Sequence, residues 1–247
     1  TTNSKITVNG TVNSEASETN TLTVNVGTSE IELNGIVGGS VGLGAMDING
    51  DLNLDAAITS AASIDVSLES DLGANVTTSG TQTYNGATTL SGGARTLEGS
   101  TINFGDTLAG GTNALVITGA LDLDGASTGL ASINVSSTSD LGASVTTSGS
   151  QTYQGAVTLS ADNTLTTTNS NVSFDSTVDG DQALIIAAGS GNITFTGAVG
   201  GTTKLNSMTL TGAQITAAAI GADGTLSVTN SGASSITGVI SQASALQ

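Results

Sequence analysis

Apolar and polar residues alternate with a period of two along most of this chain. Such alternation is typical of half-buried β-strands, and the abundant Thr and Val residues suit a pleated surface. Asn-Gly and Asp-Gly pairs separate the alternating runs and supply the backbone conformations that tight turns require. The pattern therefore predicts many short strands joined by turns, and no helix. The clearest runs cover residues 22–26, 31–33, 64–66, 193–195 and 226–228.

The strand pattern belongs to two kinds of internal repeat. The segment 62–91 recurs 69 positions later at 131–160, where all but seven positions are identical. Nearly two copies of a 69-residue repeat therefore cover 48–116 and 117–185. A shorter unit of roughly 20–23 residues recurs inside and outside this block, and three short units come close to one long repeat.

The short period indicates the architecture. Strands of a few residues that return every 20-odd residues predict a solenoid whose coils stack at about 4.8 Å, and about eleven coils would form a rod on the order of 50 Å long. We expect one continuous solenoid over 1–247, with irregular coils at 1–47 and 186–247 beside the long repeats. The chain contains no Pro. This agrees with the prediction, because proline removes a hydrogen bond from a β-ladder.

Composition narrows the range of functions. The chain has 20 acidic residues against three basic ones, which gives a net charge of −17 at pH 7. Such a chain cannot form the basic surface that follows a phosphate backbone, so nucleic acid is excluded as a partner. His and Cys are absent. Their absence excludes Ser-His and Cys-His catalytic pairs, disulfides, and imidazole or thiolate metal sites. No stretch reaches the roughly 18 apolar residues of a membrane-spanning helix.

Several segments resemble a family of secreted proteins. Residues 82–87 (QTYNGA), 151–159 (QTYQGAVTL) and 171–180 (NVSFDSTVDG) are similar to segments of filamentous-haemagglutinin-like adhesins and autotransporter passengers of Gram-negative bacteria. The tail at 224–240 resembles the start of the autotransporter-associated β-strand repeat. The resemblance implies a right-handed parallel β-helix, export to the cell surface and no catalytic residue. It also implies that the chain is a segment of a longer protein.

An acidic strand suggests a possible calcium site. Asp47, Asn49, Asp51, Asn53 and Asp55 stand at alternate positions, so on one strand their oxygens would share a face. Hard oxygen ligands suit Ca²⁺. Same-face side chains of a strand lie about 7 Å apart, however, which is too far to close on one ion. The sequence therefore favours a solvated strand face and leaves weak calcium binding open.

A polysaccharide lyase or hydrolase is another possibility, because some β-helices place carboxylates beside a Lys or Arg in a groove. Asp71 and Asp140 are equivalent in the two long repeats, as are Asp55 and Asp124. A turn-forming Asp recurs with a repeat, while a catalytic residue has no reason to do so. Arg95 has no counterpart in the second copy. We therefore expect no enzymatic activity and no cofactor.

The repeated aromatic and amide residues are the candidate ligand contacts. Tyr84 and Tyr153 are repeat-equivalent, as are Gln82 and Gln151. Stacked rings along a rod could form a stripe that binds sugars, or they could be one rung of the interior. If the long repeat spans three coils, equivalent side chains would lie on one side of the rod about 14 Å apart. Sites spaced in this way would bind a repetitive polymer weakly and multivalently.

Threonine pairs and runs suggest a third kind of surface. Regular Thr ranks on a flat solenoid face can order water and bind ice. The Thr residues at 77–78, 146–147 and 164–168 do not recur at one place in every coil that the repeats define. Solvent-facing β-branched residues are therefore the favoured interpretation.

The sequence thus favours a non-enzymatic, surface-displayed or secreted β-helical segment that serves as stalk and adhesin. Its expected partner is a glycan or a host or abiotic surface, and its expected location is extracellular or on the bacterial cell surface. The alternative is a self-assembling fibre subunit that pairs end to end with copies of itself, because open β edges pair unless they are blunted. A polysaccharide enzyme and an ice-binding protein are the remaining, less favoured interpretations.

Overall fold

The computed structural model describes residues 3–242, which form one β-solenoid of about 11 turns. The 27 strands in this part of the chain belong to one ladder, and every pairing between them is parallel. None of these residues is helical, so the described chain has no helix that could cross a membrane. The prediction of an all-β parallel solenoid is confirmed.

The strands are short, and most of those in the long repeats contain three or four residues. The first part of the chain contains β1 (Ile6–Val8), β2 (Leu22–Leu33), β3 (Leu43–Leu54), β4 (Ile58–Val66), β5 (Ser70–Leu72), β6 (Val76–Thr78), β7 (Gln82–Tyr84), β8 (Thr88–Leu90) and β9 (Arg95–Phe104). The middle contains β10 (Leu108–Ala109), β11 (Ala114–Leu123), β12 (Ser127–Leu130), β13 (Ser132–Val135), β14 (Ser139–Leu141), β15 (Val145–Thr147), β16 (Gln151–Tyr153), β17 (Val157–Leu159) and β18 (Asn163–Thr167). The last part contains β19 (Val172–Phe174), β20 (Val178–Asp179), β21 (Ala183–Ala187), β22 (Ile193–Val199), β23 (Ser207–Gly212), β24 (Ile215–Ala222), β25 (Leu226–Asn230), β26 (Ser235–Ile236) and β27 (Ile240–Gln242).

Each turn carries three strand positions, so the solenoid has three faces. Face one contains the strands aligned with β5, face two those aligned with β6, and face three those aligned with β7. Long strands such as β3 and β9 pass a corner and contribute to two faces. Along each strand, side chains point alternately into the solenoid and out to solvent.

The length of a coil varies along the rod. Ser70 and Thr88 are register partners whose residue numbers differ by 18, whereas those of Val172 and Ile193 differ by 21. The predicted coil length therefore holds for some coils, whereas several coils of the long repeats are shorter, and the step from Ala187 to Thr211 is longer than predicted. The shorter coils arise where each strand and its corner take six residues, as from Ser70 to Val76 to Gln82.

The long repeat does not close on a whole number of turns. One copy contains eleven strand-and-corner units, which at three units per turn make three and two-thirds turns. Tyr84 therefore lies on face three beside Phe104, whereas Tyr153 lies on face two beside Phe174. The expectation that equivalent residues recur on one side of the rod about 14 Å apart is wrong. The second copy is instead rotated by two-thirds of a turn.

The interior is a continuous column of aliphatic side chains with short aromatic stacks. One hydrophobic cluster extends from Ile31 to Leu226. Phe174 stacks between Tyr153 and Phe195, with ring centroids 5.2 Å and 4.9 Å apart. Because each buried methylene contributes about 0.8 kcal/mol, this column stabilises the rod in a chain that has no cysteine.

Candidate functional site

The four predicted ligand contacts lie inside the solenoid. Tyr84, Tyr153, Gln82 and Gln151 are each 0% exposed. A ligand at the surface does not reach these side chains, and the structure shows the interior rung that the sequence left as the alternative. Burial raises the pKa of both phenols above its ordinary value.

The Gln-Tyr pair forms a buried hydrogen-bond network. The Gln82 Nε2 donates to the carbonyl of Val76 at 3.1 Å and to the carbonyl of Glu98 at 2.7 Å. The Tyr84 hydroxyl donates to Gln82 Oε1 at 3.1 Å. The second long repeat makes the same set of contacts. These residues therefore join neighbouring coils through the interior, which is a structural role.

The acidic strand does not gather its oxygens on one face. β3 bends at Gly50, where φ is +154°, and passes from face three to face one. Asp47 therefore lies beside Asp65 on face three, and Asn53 lies beside Asp71 on face one. The prediction of a shared face is wrong because the strand passes a corner. In residues 3–242, no group of three or more His, Cys, Asp or Glu side chains is arranged to hold a metal ion.

The guanidinium of Arg95 donates hydrogen bonds to three backbone carbonyls. Its Nε donates to the carbonyl of Leu72 at 2.8 Å, its Nη1 to the carbonyl of Ala94 at 2.8 Å, and its Nη2 to the carbonyl of Ser91. Burial lowers the pKa of Arg95, and the charge of Asp71 acts in the opposite direction. Arg95 thus stabilises a corner of the solenoid through these hydrogen bonds.

Carboxylates crowd the first part of face one. Glu30, Asp51 and Glu69 line a shallow pocket that crosses three coils. Lys5 forms salt bridges of 2.7 Å to Glu30 and 3.0 Å to Glu32. The hydrogen bond to Glu30 is the main cause of a raised pKa at Lys5, and the hydrogen bond to Lys5 lowers the pKa of Glu32. One cation therefore faces several carboxylates at this end of the face.

A mostly acidic rank of outward side chains follows face three. Asp122 and Asp140 are register partners, so their carboxylates lie side by side on neighbouring coils. Asn103 Nδ2 donates to Asp122 Oδ2 at 3.1 Å. Burial, together with the charges of Asp124 and Asp140, raises the pKa of Asp122. The rank contains Asp47, Asp65, Thr83, Asn103, Asp122, Asp140, Thr158 and Asp179.

Threonine side chains recur in register on the second half of face one. The first rank contains Thr146, Thr166, Ala187, Thr211 and Thr229 on five successive coils. A second rank, two residues earlier on each strand, contains Thr164, Ile185, Thr209 and Ser227. The expectation that Thr does not recur at one place in every coil holds, because β21 has Ala187 and Ile185 at the two positions, but Thr or Ser recurs on the coils to either side. The sequence conceals the ranks because the step between register partners changes from one coil to the next, and the step from 187 to 211 is longer than the step from 211 to 229.

Comparisons of the chain with protein-family models, with curated proteins and with solved structures yield no match. The function is therefore argued from the rod and from its outward ranks. These ranks are the groups that a ligand at the surface would meet, and sequence reasoning identified none of them as a continuous row.

Proposed function

We propose that this chain is a non-enzymatic stalk and adhesin segment of a surface-displayed or secreted bacterial protein. The observation that carries the proposal is the single ladder from β1 to β27 around one hydrophobic cluster. At about 4.8 Å per coil, its turns correspond to a rod roughly 50 Å long. A rod of this kind holds attached parts away from a surface while presenting its own sides to a partner.

The outward ranks supply the repeated contacts that an adhesin needs. Side chains of the face-three rank recur on successive coils, so a polymer lying along the rod would meet a polar side chain, most often a carboxylate, at the coil spacing. Several weak contacts on one chain raise the effective concentration of each. With a net charge of −17, the rod attracts cationic polymers, does not repel neutral ones and repels anionic ones.

The resemblance of residues 82–87, 151–159 and 171–180 to adhesins and autotransporter passengers supports a location outside the cell. The buried positions of Gln82 and Tyr84 change the proposed contact residues. Binding is assigned to the exterior, above all to Asp65, Asp122 and Asp140 on face three.

The test compares the full chain as a free monomer with the full chain displayed densely on beads. We expect weak binding of the monomer to neutral or cationic surface glycans and much stronger retention of the beads. The triple variant Asp65→Asn/Asp122→Asn/Asp140→Asn should reduce retention on cationic polymers, and each single change should reduce it only in part. Asp106→Asn, Asp175→Asn and Asp181→Asn, three exposed carboxylates outside this rank, provide a control with the same net charge.

The outcome also separates the stalk from the alternative. If the beads bind no glycan, cell layer or abiotic surface, the rod acts only as a spacer, and its proposed role as an adhesin is contradicted. If the free chain assembles into long fibres that sediment, the self-assembling subunit is favoured instead.

A further inference from the structure

The two Thr ranks on the second half of face one form a two-dimensional array. We call this the hydroxyl array and define it as Thr146, Thr164, Thr166, Ile185, Ala187, Thr209, Thr211, Ser227 and Thr229. Neighbouring coils repeat at about 4.8 Å and alternate residues of a parallel strand at about 6.6 Å. Strands β18, β21 and β25 contain five residues and β23 contains six, so each has room for two outward side chains.

The hydroxyls of the array are open to a ligand. Four of the seven belong to exposed residues, and the other three belong to half-buried ones. Within residues 3–242, none of the seven hydroxyls hydrogen-bonds to another protein group. The inward hydroxyl of Thr147, by contrast, donates to the carbonyl of Gly149 at 2.6 Å. The array therefore retains its full capacity to bind water.

No charge interrupts the array. Its nine positions contain only Thr, Ser, Ile and Ala, whereas the first part of the same face carries Glu30, Asp51 and Glu69. A charged group orients water radially around itself, which opposes an extended lattice of water molecules. The first part of face one would therefore disrupt such a lattice, whereas the hydroxyl array on the second part is compatible with it.

The array is also rigid before any ligand arrives. Two heavy atoms on Cβ restrict the χ1 rotamers of Thr, and the parallel ladder fixes the backbone on both sides. Hydroxyls held in this way lose little conformational entropy on binding. The Thr methyl groups and Ile185, which is 43% exposed, place apolar surface between the hydroxyls. The hydroxyls thus offer hydrogen bonds to water at fixed positions.

From these features we propose that the hydroxyl array binds ice. Its two repeat distances are comparable with the distances between water oxygens on the surface of an ice crystal, so the hydroxyls can occupy lattice positions. A glycan is the competing ligand, but sugars commonly stack on exposed aromatic rings. All five aromatic residues of this chain are buried, which favours ice over a sugar at this surface.

The experiment grows a single ice crystal in a solution of the full chain. We expect the protein to enter the growing ice, to shape the crystal and to separate its freezing and melting temperatures. The double variant Thr166→Tyr/Thr209→Tyr places a large side chain on each rank and should lose most of this effect. The matched control Thr194→Tyr/Thr216→Tyr alters outward positions of face two on overlapping coils and should retain it. Circular dichroism verifies that both variants keep the β-fold.

Three results would overturn the proposal. The first is exclusion of the folded wild-type chain from growing ice, and the second is an equal loss of effect in both Tyr variants. The third combines two observations. The wild-type chain leaves ice unchanged, and it binds an insoluble glycan or forms a dimer in a way that Thr166→Tyr/Thr209→Tyr abolishes. That result would assign the array to a polymer or to a second copy of the chain.

Discussion

The hydroxyl of Tyr84 donates to the side-chain oxygen of Gln82, its neighbour on the same inward face of β7, at 3.1 Å. Both groups are fully buried, and the Gln82 amide donates in turn to carbonyls of two different coils. A buried polar group that loses its partner costs about 1–3 kcal/mol, so the two side chains depend on each other.

Gln82→Leu should lower the free energy of unfolding by about 1–3 kcal/mol, because it leaves the Tyr84 hydroxyl without its acceptor and removes the two hydrogen bonds from the Gln82 amide to backbone carbonyls. Tyr84→Phe alone should cost about 1 kcal/mol. In the Gln82→Leu background, the same Tyr84→Phe change should be neutral or stabilising, since it removes an unpaired hydroxyl. Denaturant unfolding of the two single variants and the double variant measures this change of sign. Additive losses would contradict the coupling.

Gly119 occupies a corner where the chain comes close to the coil below. Its φ is +144°, and an added Cβ would overlap the carbonyl oxygen of Gly99. We expect Gly119→Ala to lower the free energy of unfolding by about 1–3 kcal/mol through backbone strain alone, with the steric overlap adding to the loss. Gly10→Ala is the matched control, because no atom lies within 4 Å of the added carbon. Thermal melts in which both variants lose equal stability would refute the explanation.

The raised pKa of Asp122 predicts a pH-dependent effect on stability. A carboxyl whose pKa is higher in the folded state favours folding when protonated, and this contribution is lost as the pH rises through the folded pKa. Asp122→Asn removes the charge, so it should raise the melting temperature at about pH 7 and leave it nearly unchanged at about pH 3. The physical causes are the burial of Asp122 and its proximity to Asp124 and Asp140.

The control for this prediction is Asp175→Asn, which removes an exposed carboxylate from a corner and reports the effect of net charge. Melting curves of both variants at the two pH values separate the local effect from the general one. An equal gain from Asp175→Asn at about pH 7 would assign the stabilisation to net charge and not to the position of Asp122.

The fold follows from the sequence because strand alternation and a recurring period are local signals. The inward positions of Gln82 and Tyr84 could also have been predicted, since both share the parity of the apolar residues Leu72, Val76 and Leu90. Their chemistry suggested ligand contacts, but the alternation of side chains along a strand determines their burial.

The assignment of residues to faces could not be predicted from the sequence in the same way. It depends on the number of residues in each coil, and this number changes from coil to coil with the length of the corners. The six-residue step from Ser70 to Val76 to Gln82 was the available signal, and it returns from Ser139 to Val145 to Gln151. It is visible only where corners are shortest, so it reaches the coil of Thr146 but not the later coils that carry the rest of the hydroxyl array.

The incomplete final turn of the 69-residue repeat determines how a tandem array would look from the side. Each added copy would advance every sequence position to another face, and three copies would return it to the first after eleven turns. A residue selected on one copy would thus reappear on the same face roughly 53 Å further along. Duplication of this unit distributes any new side chain helically around the whole circumference, whereas a unit of whole turns would concentrate it in a single line.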